Sequence, residues 1–150
     1  MINQNDIKIL NYLLKKTITT NTDSNEFPVY AIIADASGTI LYEENNKTIE
    51  FTNRLEHAEC LLLKKIGTLT IPNNYTLYIS LEPCLMCYGA ALLYNVKRII
   101  YLIECGKFGA STCHHVIPHN MLLMKGESYI NTEDINTNKI LLRNFFKDKR

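Results

Sequence analysis

Apolar residues recur three and four positions apart after Asn5-Asp6. Ile7, Leu10, Leu13 and Leu14 make one stripe, which predicts a capped helix ending near Lys16. Residues 17–26 are polar and read as a loop. The period then changes. A β-branched run over residues 29–34 predicts a buried strand, and Ala36-Ser37-Gly38 turns the chain into a second strand near residues 39–42. After a polar stretch over residues 43–54, helical spacing returns over residues 55–66, with Gly67 as a natural stop. Thr76–Leu81 reads as a strand, residues 84–93 as a helix, Arg98–Ile103 as a strand and residues 133–147 as a final helix. From Thr39 onward strands and helices alternate, which argues for parallel pairing, right-handed crossovers and helices packed on a sheet.

Two stretches break this pattern. LEHAECLLLKK, residues 55–65, sets His57, Glu59 and Cys60 at the head of an amphipathic helix, where burial should begin. LEPCLMC, residues 81–87, sets Cys84 and Cys87 one turn apart at the head of the next helix. Loops after the carboxyl ends of parallel strands meet at one sheet edge, where ligands bind. The 27 residues from His57 to Cys84 make about one crossover, so the two groups should meet in space. A helix N-terminus favours thiolates. One imidazole and two thiolates are good zinc ligands. Two kinds of site fit that spacing. With Cys60 as a fourth ligand, the site is closed and structural. With His57, Cys84 and Cys87 alone, one position is left for water, whose pKa zinc lowers, and Glu59 stands ready to carry its proton. Cys60 is then a small buried hydrophobe.

Composition narrows the setting. At 150 residues, 47% hydrophobic and 21% charged, the chain reads as one folded domain over residues 1–150. A net charge of +1 forces no nucleic-acid partner by itself. MINQNDIKIL has no signal-peptide pattern, and the run over residues 92–103 is too short and too interrupted to span a bilayer. Five cysteines, two of them spaced C-x-x-C, favour thiols or metal ligands in a reducing cytoplasm.

HAE at residues 57–59 with PCLMC at residues 83–87 resembles the zinc-dependent cytidine and adenosine deaminase family, known by its H-x-E and P-C-x-x-C signature. The likeness runs from FPVYAIIA through LYISLEPCLMCYGA to NFFKDKR, and it looks most like the bacterial tRNA adenosine deaminases, which make inosine at the wobble position. The resemblance implies a cytidine-deaminase-like three-layer α/β sandwich: a central mixed five-stranded sheet with helices on both faces. It also implies one zinc per chain on His57, Cys84 and Cys87, with Glu59 as proton carrier. Asn46 would contact the target nucleoside, and Ala58 would offer its backbone N–H to the base. A cytoplasmic homodimer acting on a tRNA anticodon loop follows by the same likeness.

The chain departs from the family at Arg54-Leu55-Glu56, where Pro-Thr-Ala is usual, at Tyr30 for a glycine, and at Cys105, beside Glu104, for an aspartate. These positions bear on the substrate. A deaminase of a free nucleobase, nucleoside or nucleotide is therefore an alternative, and a structural-zinc RNA-binding module is the non-enzymatic one. Adjacent Phe145 and Phe146 point about 100° apart on one helix, so one should lie near the surface beside Lys147, Lys149 and Arg150 as a stacking platform for RNA. The other reading is that both seal a subunit contact or a neighbouring helix. Lys139, Arg143, Lys147, Lys149 and Arg150 suit an RNA-facing or a merely solvated helix face. Tyr88, Tyr94 and Tyr101 suit base stacking or, more simply, core and subunit contacts. Cys113, His114, His115 and His119 suggest a substrate-side loop rather than a second metal site.

Overall fold

The computed structural model describes residues 1–67, 74–115 and 120–147. Helix α1 spans Gln4–Asn21. Asn3 caps it, accepting from the N–H groups of Asn5 and Asp6, while the Asp6 carboxylate returns to the Asn3 N–H, a capping box. The helix runs past Lys16, where a loop was expected. The reason is local: Thr17, Thr19 and Asn21 donate back to the carbonyls of Leu13, Lys15 and Thr17, so their polar groups are satisfied within the helix.

Strands β1 (Tyr30–Ala34) and β2 (Ile40–Asn45) form an antiparallel hairpin. Gly38, at φ +86°, takes the left-handed turn position. β2 outlasts its sequence signal because it is an edge strand whose charges are partnered on both faces. Glu43 reaches Tyr12 and Lys16, and Glu44 reaches Lys47 and Lys65. β3 (Thr76–Leu81) and β4 (Arg98–Ile103) lie where the apolar runs placed them and are almost wholly buried. β5 (Leu122–Lys125) is a four-residue, half-exposed edge strand that periodicity did not reveal.

The sheet order is β2-β1-β3-β4-β5. β3 and β4 pair in parallel, as expected, and β5 adds to β4 in parallel, but β1 is antiparallel to both neighbours and separates β2 from β3. Since β1 opposes both, β2 and β3 still point the same way. The segments leaving them therefore emerge at one edge. Helices α2 (Ala58–Ile66) and α3 (Leu85–Leu93) cover one face, packing on Ala31, Ile33, Leu77, Ile79 and Ile99. α1 and α4 (Thr132–Lys147) cover the other, packing on Ile32, Ala34, Tyr78, Ile100 and Leu102. The result is the three-layer sandwich that the family likeness implied. Tyr30, one of the departures, belongs to the α1/α4 layer. No helix among the described residues is long and apolar enough to cross a membrane.

At the far end of the sheet the buried Asp6 carboxylate accepts from Arg98 (2.6 Å) and from the Tyr78 hydroxyl (2.7 Å). Burial pushes its pKa up, but those donors and the Asn3 N–H outweigh burial and hold it below the usual range. This ties α1 to β3 and β4 away from the reactive edge.

Candidate metal centre

Both α2 and α3 begin in an unusual way. Their N-cap residues are His57 and Cys84, both with extended backbone (ψ 150° and 166°), and neither side chain caps its helix. Ser, Thr, Asp or Asn would normally take that position and bind a free N–H. Here the side chains are spared and turn toward each other. The Nδ1 atom of His57 lies 3.7 Å from Cys84 Sγ and 3.4 Å from Cys87 Sγ, and all three donor atoms lie within 4.8 Å of one another.

This geometry fits zinc. Bond lengths of about 2.3 Å to sulfur and 2.0–2.1 Å to nitrogen put tetrahedral neighbours roughly 3.6 Å apart for N and S, and about 3.8 Å for S and S. The donor set also supplies the charge that a divalent cation needs. Two helix N-termini converge here and favour anions. The Cys87 thiol, donating to Cys84, draws the Cys84 pKa down to about 4 against the effect of burial, and His57 helps. Cys87 is pushed up, by its bonds to Cys60 and Cys84 and by burial. The bond to Cys84 raises the His57 pKa.

Cys60 Sγ lies 3.7 Å from Cys87 Sγ, yet Cys60 falls outside the mutually close set. It borders the centre without completing it, and it is only half-buried. Glu59, in the first turn of α2, is 3% exposed. Burial raises its pKa, although its own N–H, the His57 charge and the Cys87 thiol pull the other way. A buried carboxyl of raised pKa beside a metal position is suited to moving protons.

Asn46 and Ala58 meet directly. The Asn46 Oδ1 accepts the Ala58 N–H at 3.3 Å, and both residues are buried. The Asn46 amide nitrogen donates to Glu26 (3.2 Å) and to the Thr48 hydroxyl (3.1 Å). Glu26 was not singled out from the sequence. Its carboxylate also accepts from Phe27 N, Thr48 Oγ1, Ile49 N and Glu50 N, at 2.8–3.2 Å. A carboxylate just before a strand was the available signal, but its partners other than Phe27 lie 20 and more residues away.

Phe146 is exposed, as the helical argument required of one ring of the pair. Both phenylalanines pack on Phe27, tilted or edge-on, with centroids 5.0 Å (Phe145) and 5.3 Å (Phe146) away, so they also pin α4 to the segment before β1. Phe27, Phe146 and Arg143 line a cleft of about 360 Å³ with Leu81, Ile103 and Cys105, at the carboxyl edge of β3 and β4. Lys149, Arg150 and His119 lie outside the described residues. Tyr88 and Tyr101 are buried, whereas Tyr94 is partly exposed. His114 Nδ1 pairs with the Tyr88 hydroxyl at 2.7 Å. Among the described residues, the trio His57, Cys84 and Cys87 is the metal-competent cluster.

Residues 4–103 match the family described as the cytidine and deoxycytidylate deaminase zinc-binding region. A tRNA-specific adenosine deaminase of Rickettsia felis is 33% identical over 132 residues, spanning 83% of this chain and 90% of that protein. A solved structure from work on A-to-I editing by tRNA:A34 deaminases at the wobble position superposes with a TM-score of 0.72. It is 21% identical, covering 90% of this chain and 99% of its own. A guanine deaminase of Nitrosomonas europaea superposes with a TM-score of 0.63 at 16% identity, covering 97% of this chain and 85% of its own. At these identities the two structural likenesses concern the fold.

Proposed function

The chain belongs to the cytidine and deoxycytidylate deaminase zinc-binding family, and on that premise we propose that it hydrolytically deaminates the wobble adenosine of a tRNA anticodon loop to inosine. The chemistry rests on one observation: among the described residues, three metal-competent side chains, not four, lie together with a buried carboxyl beside them. The substrate class rests on the likeness, along most of both chains, to a tRNA-specific adenosine deaminase.

His57, Cys84 and Cys87 would hold the zinc. When bound, zinc supplies Lewis acidity that makes water a nucleophile near neutral pH. Glu59 accepts one proton of the attacking water on a carboxylate oxygen and passes it to the ring nitrogen. It then takes the second from the hydroxyl now on the ring carbon and passes it to the amino group, which leaves as ammonia. Asn46, anchored by Glu26, holds the head of α2 beside the target. Phe146 and Arg143, at the mouth of the cleft, offer a stacking face and a cation to an unpaired RNA loop.

The working unit is a homodimer in the cytoplasm. Of the apolar helix α3, only Cys87, Tyr88 and Ala91 are buried, while Leu85, Met86 and Leu93 are exposed, Leu93 at 84%. A second copy of the chain covers that face. Light scattering on the purified protein measures the mass.

The deciding experiment incubates the zinc-loaded protein with an anticodon stem-loop and, separately, with free adenosine, cytidine, cytosine and guanine, following ammonia and inosine. Inosine formed in the stem-loop alone is the expected result. Turnover of a free base or nucleoside without turnover of RNA overturns the tRNA assignment and leaves the deaminase standing.

A further inference from the structure

Glu82 stands between β3 and the cysteine-bearing turn, 3% exposed. Its two carboxylate oxygens take two backbone donors from one loop. Oε2 accepts from Cys105 N at 2.9 Å, and Oε1 from Ser111 N at 2.7 Å. The loop between those donors closes round the carboxylate. At its centre is Gly109, where an added Cβ would lie 2.3–2.5 Å from the Glu82 carboxyl atoms. Gly109 has an ordinary extended backbone (φ −70°, ψ 145°), so no left-handed conformation calls for glycine there. What calls for it is the carboxylate lying against its Cα. Two further backbone links join the same loop to the turn carrying Cys84: an antiparallel bridge between Cys84 and Gly109, and Ala110 N donating to Pro83 O at 2.9 Å.

We propose that Glu82 is a positioning residue, the anionic template on which the loop 104–113 folds, and that Gly109 is its required steric partner. Through this pair the loop that carries Cys105 and Phe108 is held in register with the Cys84 turn, as one wall of the substrate mouth. A buried carboxylate without its donors is costly, and so are two buried N–H groups without an acceptor. The ring of contacts therefore holds or fails as a unit. Cys105 replaces the aspartate usual in the family, but its backbone, not its side chain, meets Glu82, so that departure leaves the template intact.

The inference rests on the deaminase reading only for its kinetic consequence, and the test separates the two. Glu82→Gln keeps the side-chain size but turns an amide donor toward one of the two N–H groups. Hydrogen exchange at Cys105 and Ser111 should accelerate at least tenfold, with zinc content unchanged. On an anticodon stem-loop, kcat/KM should fall by roughly ten- to hundredfold, the scale expected for misplacing a substrate wall by about 1 Å. Most of that fall should be in KM. Gly109→Ala should act similarly in the wild-type background but add less than about twofold once Glu82→Ala has vacated the space, since contacting residues couple. Unchanged exchange at Cys105 and Ser111 in Glu82→Gln overturns the proposal. So does an undiminished effect of Gly109→Ala in the Glu82→Ala background. If the wild-type protein turns over no RNA, the deaminase substrate is wrong and the exchange data still judge Glu82. If Glu82→Ala does not fold, hydrogen exchange at Cys105 and Ser111 in Glu82→Gln and in Gly109→Ala decides: faster exchange in both supports the proposal, and unchanged exchange in either overturns it.

Discussion

Replacing Glu26 by alanine removes one acceptor group from five donors: Phe27 N, Asn46 Nδ2, Thr48 Oγ1, Ile49 N and Glu50 N. They do not count equally. Ile49 and Glu50 are exposed, so water replaces the carboxylate at their N–H groups. Asn46 is 2% exposed, and Phe27 and Thr48 are half-buried. Two of those three donors left without a full partner, at roughly 1–2 kcal/mol each, give a loss of about 2–4 kcal/mol. For a domain of this size that is a fall in Tm of roughly 5–15 °C. Urea unfolding at neutral pH measures it directly.

The pH dependence is a second, independent reading of the same clamp. Burial raises the Glu26 pKa, but the donors from Phe27, Thr48, Ile49 and Glu50 outweigh it, and the net pKa lies below the ordinary 4.5. A depressed folded-state pKa means the stabilisation is fully present above the unfolded value and is lost as pH falls through the folded one. The gap between wild type and Glu26→Ala should therefore be constant from pH 7 to about 5 and narrow once pH drops below about 4.5. Glu26→Gln, with one oxygen left, should fall between the two. A cost below about 0.5 kcal/mol, or a gap that does not narrow in acid, would refute the clamp as the source of this stability.

Three further outcomes follow from the metal centre and the mouth. Cys87→Ser should lose the bound zinc and Cys60→Ser should retain about one per chain, measured by elemental analysis; loss in both would make the site closed and structural. Glu59→Ala should keep zinc and fold while turnover drops by roughly 10²–10⁴, and near-normal turnover would point to another proton carrier. Phe146→Ala should lower Tm only modestly, because the residue is 54% exposed and Phe145 still packs on Phe27. It should weaken stem-loop binding by about 1–3 kcal/mol, as the loss of a base-stacking surface does. An unchanged KM for RNA would confine Phe146 to holding Phe27.

What the sequence disclosed was local. Thr76–Leu81 and Arg98–Ile103 could be bounded because each is an uninterrupted apolar run between polar breaks. The His57, Cys84 and Cys87 set was legible because two short spacings at helix starts define it. The head of α2 was placed three residues early, at Leu55, since a helix opening on an uncapped histidine has no ordinary N-cap signal. Non-local choices left no trace. Insertion of antiparallel β1 between β2 and β3 is a pairing decision across 40 and more residues, and β5 is too short and half-exposed to show a period. Glu26 and Glu82 escaped notice because their donors lie 20–29 residues away in sequence, the N–H of Phe27 excepted.

Three buried glutamates surround the reactive edge, and their surroundings separate their roles. Glu26 is encircled by donors that hold it ionised, and it fixes Asn46 against the head of α2. Glu82 accepts from both ends of the loop 104–113 and fixes the opposite side of the mouth. Glu59 has only weak support to set against complete burial, and burial wins, raising its pKa. A carboxylate saturated with donors is a poor proton carrier, because every proton it accepts breaks bonds that hold the fold. One left undersaturated in a dry site gains or loses a proton at little structural cost. The same division explains why the family departures are tolerated. Tyr30 turns into the α1/α4 layer, and Leu55 is 58% exposed. Cys105 meets Glu82 through its backbone. All three lie outside the trio and Glu59, so they bear on the shape of the mouth and not on the metal-competent cluster.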